Sequence, residues 1–295
     1  MPRWYITAVN IEMKKYLIIL STLVLFAFCS CNKIILSGNN ITEEFSIEGT
    51  YTALCVENAF EVTVSNAVDQ ITVTTDENVM PKVVVEKMGD VLKIRLKPLT
   101  VASGMDLKVT LPYNVDLKTV HLSGASEFHS EYGIKGQRVE VGLTGASNFY
   151  CDVEGDDEAR IELSGASQFE GDVMADEIEM ELSGASTIRG NVGADNLGLE
   201  LTGASDANLE GIVTNLNLNL TGSSRIVRRV IGNRYAVVCD QCEGVMSGAS
   251  EAYIHCDGNI IVNLSGASKL HFTGNGNPAD SSTSGGSDII HDVNP

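Results

Sequence analysis

One five-residue phrase, Leu-Ser/Thr-Gly-Ala/Ser-Ser, begins at Leu122, Leu143, Leu163, Leu182, Leu201, Leu220 and Leu264, with a variant at Met246. Successive starts lie 21, 20, 19, 19, 19, 26 and 18 residues apart. A period this short argues against an ordinary globular domain. A unit of that size cannot bury its own apolar face, so only neighbours stacked in sequence can build a core.

Before each phrase the chain alternates. Ile178, Met180 and Leu182 are apolar around Glu179 and Glu181, and Leu197-Leu199-Leu201 and Leu216-Leu218-Leu220 repeat the pattern. After each phrase a second alternation follows, as in Phe149, Cys151 and Val153. Period-two alternation marks a strand with one buried face, and turn residues such as Ala194-Asp195-Asn196 close the unit. No stretch carries a capped helical period. The expected fold is therefore all-β: a β-solenoid, right-handed β-helix-like, of about eight coils of 18–21 residues over 113–273. A propeller competes poorly, because its blades need roughly 40 residues and four strands.

Within the phrase, Gly supplies a bend and Ala fits a tight corner. The serines Ser126, Ser147, Ser167, Ser186, Ser205, Ser224, Ser250 and Ser268 are expected to stack as a ladder of mutually bonded hydroxyls. A row of glycan-contacting hydroxyls is the functional alternative. Residues 31–112 hold strands such as Phe60–Val64, Gln70–Thr75 and Val91–Leu96 and read as an N-terminal β region that caps the stack. Residues 274–295 read as a flexible tail in which Ser287–Ile290 could add a last strand.

Phe60-Glu-Val-Thr-Val64 followed by Ile71-Thr-Val-Thr-Thr-Asp-Glu-Asn78, then Asp90-Val-Leu-Lys-Ile94, then the recurring Leu-Ser-Gly-Ala-Ser, form a pattern that resembles the head GIN domain family of "putative auto-transporter adhesins". The resemblance runs from residue 45 to about 273. It implies a β-helical fold and a place in Bacteroidetes-type envelope lipoproteins. It brings no set of catalytic residues with it.

Aromatic residues make up only 6% of the chain against 43% hydrophobic, so the core must be mainly aliphatic. A net charge of −19 argues against nucleic acid. Residues 1–30 read as a signal peptide whose true start is Met13, since Lys14 and Lys15 lead directly into the apolar run Tyr16–Phe28. Ser30-Cys31 then resembles a lipobox, which makes Cys31 the expected lipid anchor of an outer-membrane lipoprotein whose membrane face the sequence leaves undetermined. Ordinary secretion and a membrane anchor remain the alternatives. Loss of residues 1–30 removes three basic residues and one acidic residue, taking the net charge to −21.

Five cysteines follow Cys31, too few for a disulfide scaffold. Cys239-Asp-Gln-Cys242 has redox spacing but no strand-to-helix context, and zinc would lack ligands. Registering the coils on their glycines places Cys239 beside Cys256, offset by one residue. A Cys239–Cys256 disulfide is expected, with Cys242 and Cys151 as buried thiols. The arginines between Arg225 and Arg234 fall in the long interval and read as a protruding loop able to meet glutamates of a neighbour.

Two outward strips are candidate binding faces. One is the column Glu162, Glu181 and Glu200, whose like charges need counterions or cations. The other is the mixed polar strip with Asn148 and Tyr150. The function expected is a non-catalytic, adhesin-like binding or scaffold protein of the cell envelope. Its partners would be the membrane through a lipid, a glycan or protein ligand and a homo-oligomeric copy, with no cofactor, metal or nucleic acid. The alternative is a polysaccharide-acting β-helix enzyme of lyase type, which would need a cluster of basic residues for proton abstraction.

Overall fold

The computed structural model of the protein describes residues 32–98, 100–101, 104–232 and 234–293. The expected signal peptide, residues 1–30, and Cys31 lie outside the described residues. Stacked parallel strands form a β-solenoid of about nine turns, and the described residues contain one single 3-10 turn, Met80–Lys82. The repeat thus defines the fold class.

Each coil has three straight runs. In one coil Asn148–Tyr150 forms side B, residues 153–155 form side C and residues 158–163 form side A. Every run pairs in parallel with its counterpart one coil on: Phe149 with Phe169, Val153 with Val173, Ile161 with Met180 and Leu163 with Leu182. The alternating residues therefore stack into columns. Ala159, Ile161, Leu163, Ile178, Met180, Leu182, Leu197, Leu199 and Leu201 all point inward and are buried. Burial of each aliphatic side chain contributes about 1.5–3 kcal/mol. On side B the rings of Phe128, Phe149 and Phe169 stack at 5.2 and 5.1 Å.

The corner glycines meet two demands at once. Gly184 has φ +77°, and a Cβ there would lie 2.4 Å from the carbonyl oxygen of Gly165. The same close stacking repeats from Gly145 to Gly285, with each following residue donating its N–H to the glycine carbonyl one coil below, as Ala185 does to Gly165 at 2.7 Å. In the earliest corner Asn58, at φ 71°, takes the glycine's place, as asparagine tolerates this region best after glycine.

The corner serines are buried, but they do not bond to one another. Each hydroxyl donates to the carbonyl three residues back in its own coil: Ser147 to Thr144 at 2.8 Å, Ser186 to Ser183 at 2.7 Å and Ser268 to Ser265 at 2.8 Å. The expected mutual ladder is corrected accordingly. A hydroxyl deep in a tight corner reaches its own turn's orphan carbonyl sooner than a hydroxyl one coil spacing away. Buried in this way, the row is also out of reach of a ligand.

At the N-terminal end the chain order and the stack order differ. Ala53–Val56 lies between Thr119–Leu122 and Val91–Leu96, and Glu61–Ser65 lies between Glu127–His129 and Lys108–Pro112. The first coil in sequence is thus the second in space. Antiparallel strands then cover the end: Val83–Met88 on Val91–Leu96, Ile71–Asp76 on Lys108–Pro112, and Asn40–Phe45 on Ile71–Asp76. The edge of the parallel stack is thereby paired, and the outermost strands become the antiparallel Val83–Met88 and Asn40–Phe45. At the other end Ser282–Thr283 and Asp288–His291 pair with Ile260–Leu264 and Lys269–Thr273, so the segment after Gly274 holds two strands.

The long interval is exposed over residues 228–232 and returns to the body of the stack at Tyr235. Val230–Ile231 and Arg234–Tyr235 form a hairpin that returns over the C-terminal coils, where Tyr235 is buried and its N–H donates to Thr273 Oγ1 at 3.3 Å. Arg225 pairs with Asp206 at 2.8 Å and Arg229 with Glu210 at 2.9 Å. These are acids of the same chain, one coil away.

A polar face and its cleft

Side A carries the acidic column. Glu162, Glu181 and Glu200 are direct Cα partners in three successive coils. The repulsion expected between them is relieved from within. Arg160 donates through Nε to Glu162 at 2.6 Å, through Nη1 to Glu179 at 2.7 Å and through Nη2 to Glu181. Glu200 has no ion pair among the described residues.

Asn148 and Tyr150 stand on side B, beyond the Gly-Ala-Ser corner, so the structure separates them from the glutamates. Tyr150 is the partner of His129, and the two rings stack at 4.5 Å. Burial, then the charge of Glu127, raises the Tyr150 phenol above its ordinary value.

Beyond the Arg160 network side A changes character. Its outward residues become Asn196, Gly198 and Glu200, then Asn215, Asn217 and Asn219, then Gln241, Glu243 and Val245. Asn215 donates to Asn196 at 2.8 Å. Two depressions of about 400 and 270 Å³ meet over Gly198. The larger is lined by Glu177, Glu179, Asn215, Asn217, Gln241 and Ile261, among others. Sequence reading passed over this patch, although the alternation Asn215-Leu-Asn-Leu-Asn219 was there as its signal.

Cys239 and Cys256 are direct Cα partners, without the expected one-residue offset, and Cys242 is the partner of Ile260. All three are buried and present as thiols. Hydrogen bonding to Cys242, with burial, raises the Cys239 thiol; hydrogen bonding to Cys239, with burial, raises Cys256. Burial pushes Cys151 up to about 12. Thiols held protonated make poor nucleophiles.

Near the C-terminal end Tyr253 stacks on His271 at 4.6 Å. Tyr253 donates to Glu251 at 2.8 Å, His271 Nδ1 lies 3.0 Å from Asp292, and Tyr235 donates to the same carboxylate. Burial, then these bonds to carboxylates, pushes both phenols up to about 12. A phenol so held abstracts protons poorly at neutral pH. Among the described residues no three of His, Cys, Asp and Glu converge to hold a metal ion, and no helix is long and apolar enough to cross a membrane.

A parallel stack with shallow polar faces defines a β-solenoid. The chain belongs to the family described as "putative auto-transporter adhesin, head GIN domain", whose model matches it twice, over residues 50–171 and 157–276. Among solved structures it is similar to a "putative lipid binding protein" of Parabacteroides distasonis, at 21% identity and TM-score 0.61, covering 88% of this chain and 100% of that one. It is also similar to a "putative adhesin" of the same organism, at 16% identity and TM-score 0.60, covering 88% and 98%. At these identities the likeness is one of fold. No curated protein matches the chain.

Proposed function

We propose that the protein is a non-catalytic, adhesin-like lipoprotein of the cell envelope. In this reading Cys31 fixes it to the outer membrane, and the solenoid holds a polar binding surface away from the lipid. One observation carries the reading. Asn32–Lys33 pairs with Thr100–Val101, a segment between the two runs of the end coil, so the residue after Cys31 is already part of the N-terminal end. An anchor there has no linker, and about nine turns at ~4.8 Å each project roughly 40 Å.

Charge favours the same orientation. Residues 32–118 hold eight basic and twelve acidic side chains, whereas residues 119–293 hold nine and twenty-six. The far portion is repelled by anionic headgroups and the near portion much less. The non-catalytic part is supported by the family's description as an adhesin and by the Tyr235 and Tyr253 phenols, which burial and carboxylate bonds keep protonated. Metabolic labelling with an alkynyl palmitate tests the anchor. The wild type is expected to label and fractionate with outer membrane, and Cys31→Ala to do neither. Labelling that survives Cys31→Ala overturns the anchor.

A further inference from the structure

Asparagine is disfavoured in strands, yet Asn215-Leu-Asn-Leu-Asn219 places three in one run of side A, with Asn196 and Gln241 in the coils on either side. A ladder bond accounts for one contact only, Asn215 to Asn196. The side chains of Asn217, Asn219 and Gln241 have no hydrogen-bond partner among the described residues and stand exposed. The patch thus offers a dense set of amides, each able to donate and accept, on a chain whose surface is otherwise acidic.

Gly198 at its centre is a second, independent anomaly. Four of the other glycines inside described strands are explained by backbone crowding: a Cβ at Gly155, Gly190, Gly211 or Gly244 would lie within 2.3 Å of a carbonyl oxygen, whereas at Gly142, Gly193 and Gly136 it would meet only the movable side chains of His121, Met174 and Lys118. At Gly198 the nearest atom to such a Cβ is Ile178 O at 3.8 Å, and φ does not lie in the left-handed region. Neither backbone nor packing needs glycine there. A strand glycine weakens the strand unless something approaches the backbone closely. Here it opens a gap one side chain deep in the floor where the two depressions meet.

We infer that this gap and its amides are a binding site for a neutral glycan chain, a sugar ring lying over Gly198 with its hydroxyls on Asn217, Asn215 and Gln241. This rests on the binding role proposed above and assigns it a place. The cleft volume is of the size that holds small ligands. Planar amides match hydroxyl groups because they donate and accept side by side. Ile261, 43% exposed at the rim, offers an apolar contact for the C–H face of a ring. Glu177, Glu179 and Glu243 line the same cleft, which disfavours uronic acids. The cleft lacks the aromatic and arginine anchors of protein interfaces.

The test is titration calorimetry of the purified protein, residues 32–295, with cellohexaose, maltohexaose, laminarihexaose and chitohexaose, and with hexaguluronate as the acidic counterpart. At least one neutral hexaose is expected to bind and hexaguluronate not to. Gly198→Val is expected to weaken binding by at least about tenfold by filling the gap, with an unchanged or raised Tm because valine suits a strand. Asn217→Ala should weaken it as well. If no neutral hexaose binds, the inference falls. If a hexaose binds equally well to Gly198→Val with its Tm intact, the site is elsewhere: the inference falls while the binding role stands.

Discussion

Arg160 Nη1 lies 2.7 Å from Glu179 Oε2 of the next coil, while its Nε holds Glu162 at 2.6 Å. One guanidinium therefore neutralises a column that the parallel register would otherwise make self-repelling. Arg160→Ala is expected to cost about 1 kcal/mol, the scale of exposed ion pairs, and to lower Tm by ~2–4 °C. Added salt should restore much of the loss by screening the glutamates. Thermal unfolding of the variant at low and high ionic strength checks this, and a salt-independent loss would mean that Arg160 acts through packing.

The corner and the cleft respond oppositely to one substitution. Gly184→Val forces a β-branched residue into φ +77° with its Cβ 2.4 Å from Gly165 O. The loss should reach ~3 kcal/mol or more, strain and overpacking adding together. Denaturant unfolding beside Gly198→Val reads the contrast, and a wild-type-like Gly184→Val would refute the stacked-corner geometry.

Cys239 and Cys256 face each other in adjacent coils. Neighbouring strands lie ~4.8 Å apart, inside the ~4.4–6.8 Å Cα separation that a disulfide accepts. Protein exported through an oxidising compartment is expected to carry this one bridge, with Cys242 and Cys151 free. Non-reducing peptide mapping checks it. A Cys239–Cys242 link, or five free thiols after export, would contradict it.

Acid should loosen the C-terminal coils. Burial opposes ionisation of Asp292, but hydrogen bonds from Tyr235 and His271 prevail and hold its carboxyl below the ordinary range. A depressed folded pKa contributes stability above the unfolded value, ~3.9 for aspartate, and that contribution fades as pH falls through the folded value. Hydrogen bonds from the backbone of Asn78 and Gly38 depress Asp76 in the same sense at the other end. Tm should fall below about pH 4, and Asp292→Asn should flatten part of that fall. An unchanged acid limb would remove Asp292 from the account.

Much of this was legible in the sequence. Period and alternation fix strands, inward columns and the pairing of Glu162 with Glu181, because stacking at one-coil spacing leaves little freedom. What escaped were features that depend on the third dimension. The hydroxyl of Ser147 bonds its own Thr144 carbonyl rather than Ser167, which stands a full coil spacing away. The insertion of Ala53–Val56 between two later coils reverses chain order, which no local pattern encodes. The Arg225–Tyr235 excursion folds back because Tyr235 finds Asp292 across 57 residues. Gly198 could not be told from the structural glycines until the space around each was known.

Binding without turnover is the central claim, and one experiment reads both halves. The purified protein is applied to a polysaccharide array, and the same polymers are incubated with it and assayed for new reducing ends and unsaturated products. The account predicts retention of at least one neutral polymer with no product above the blank. Reproducible product formation that disappears on replacing a single acidic or basic residue would contradict it, as would an array on which nothing is retained.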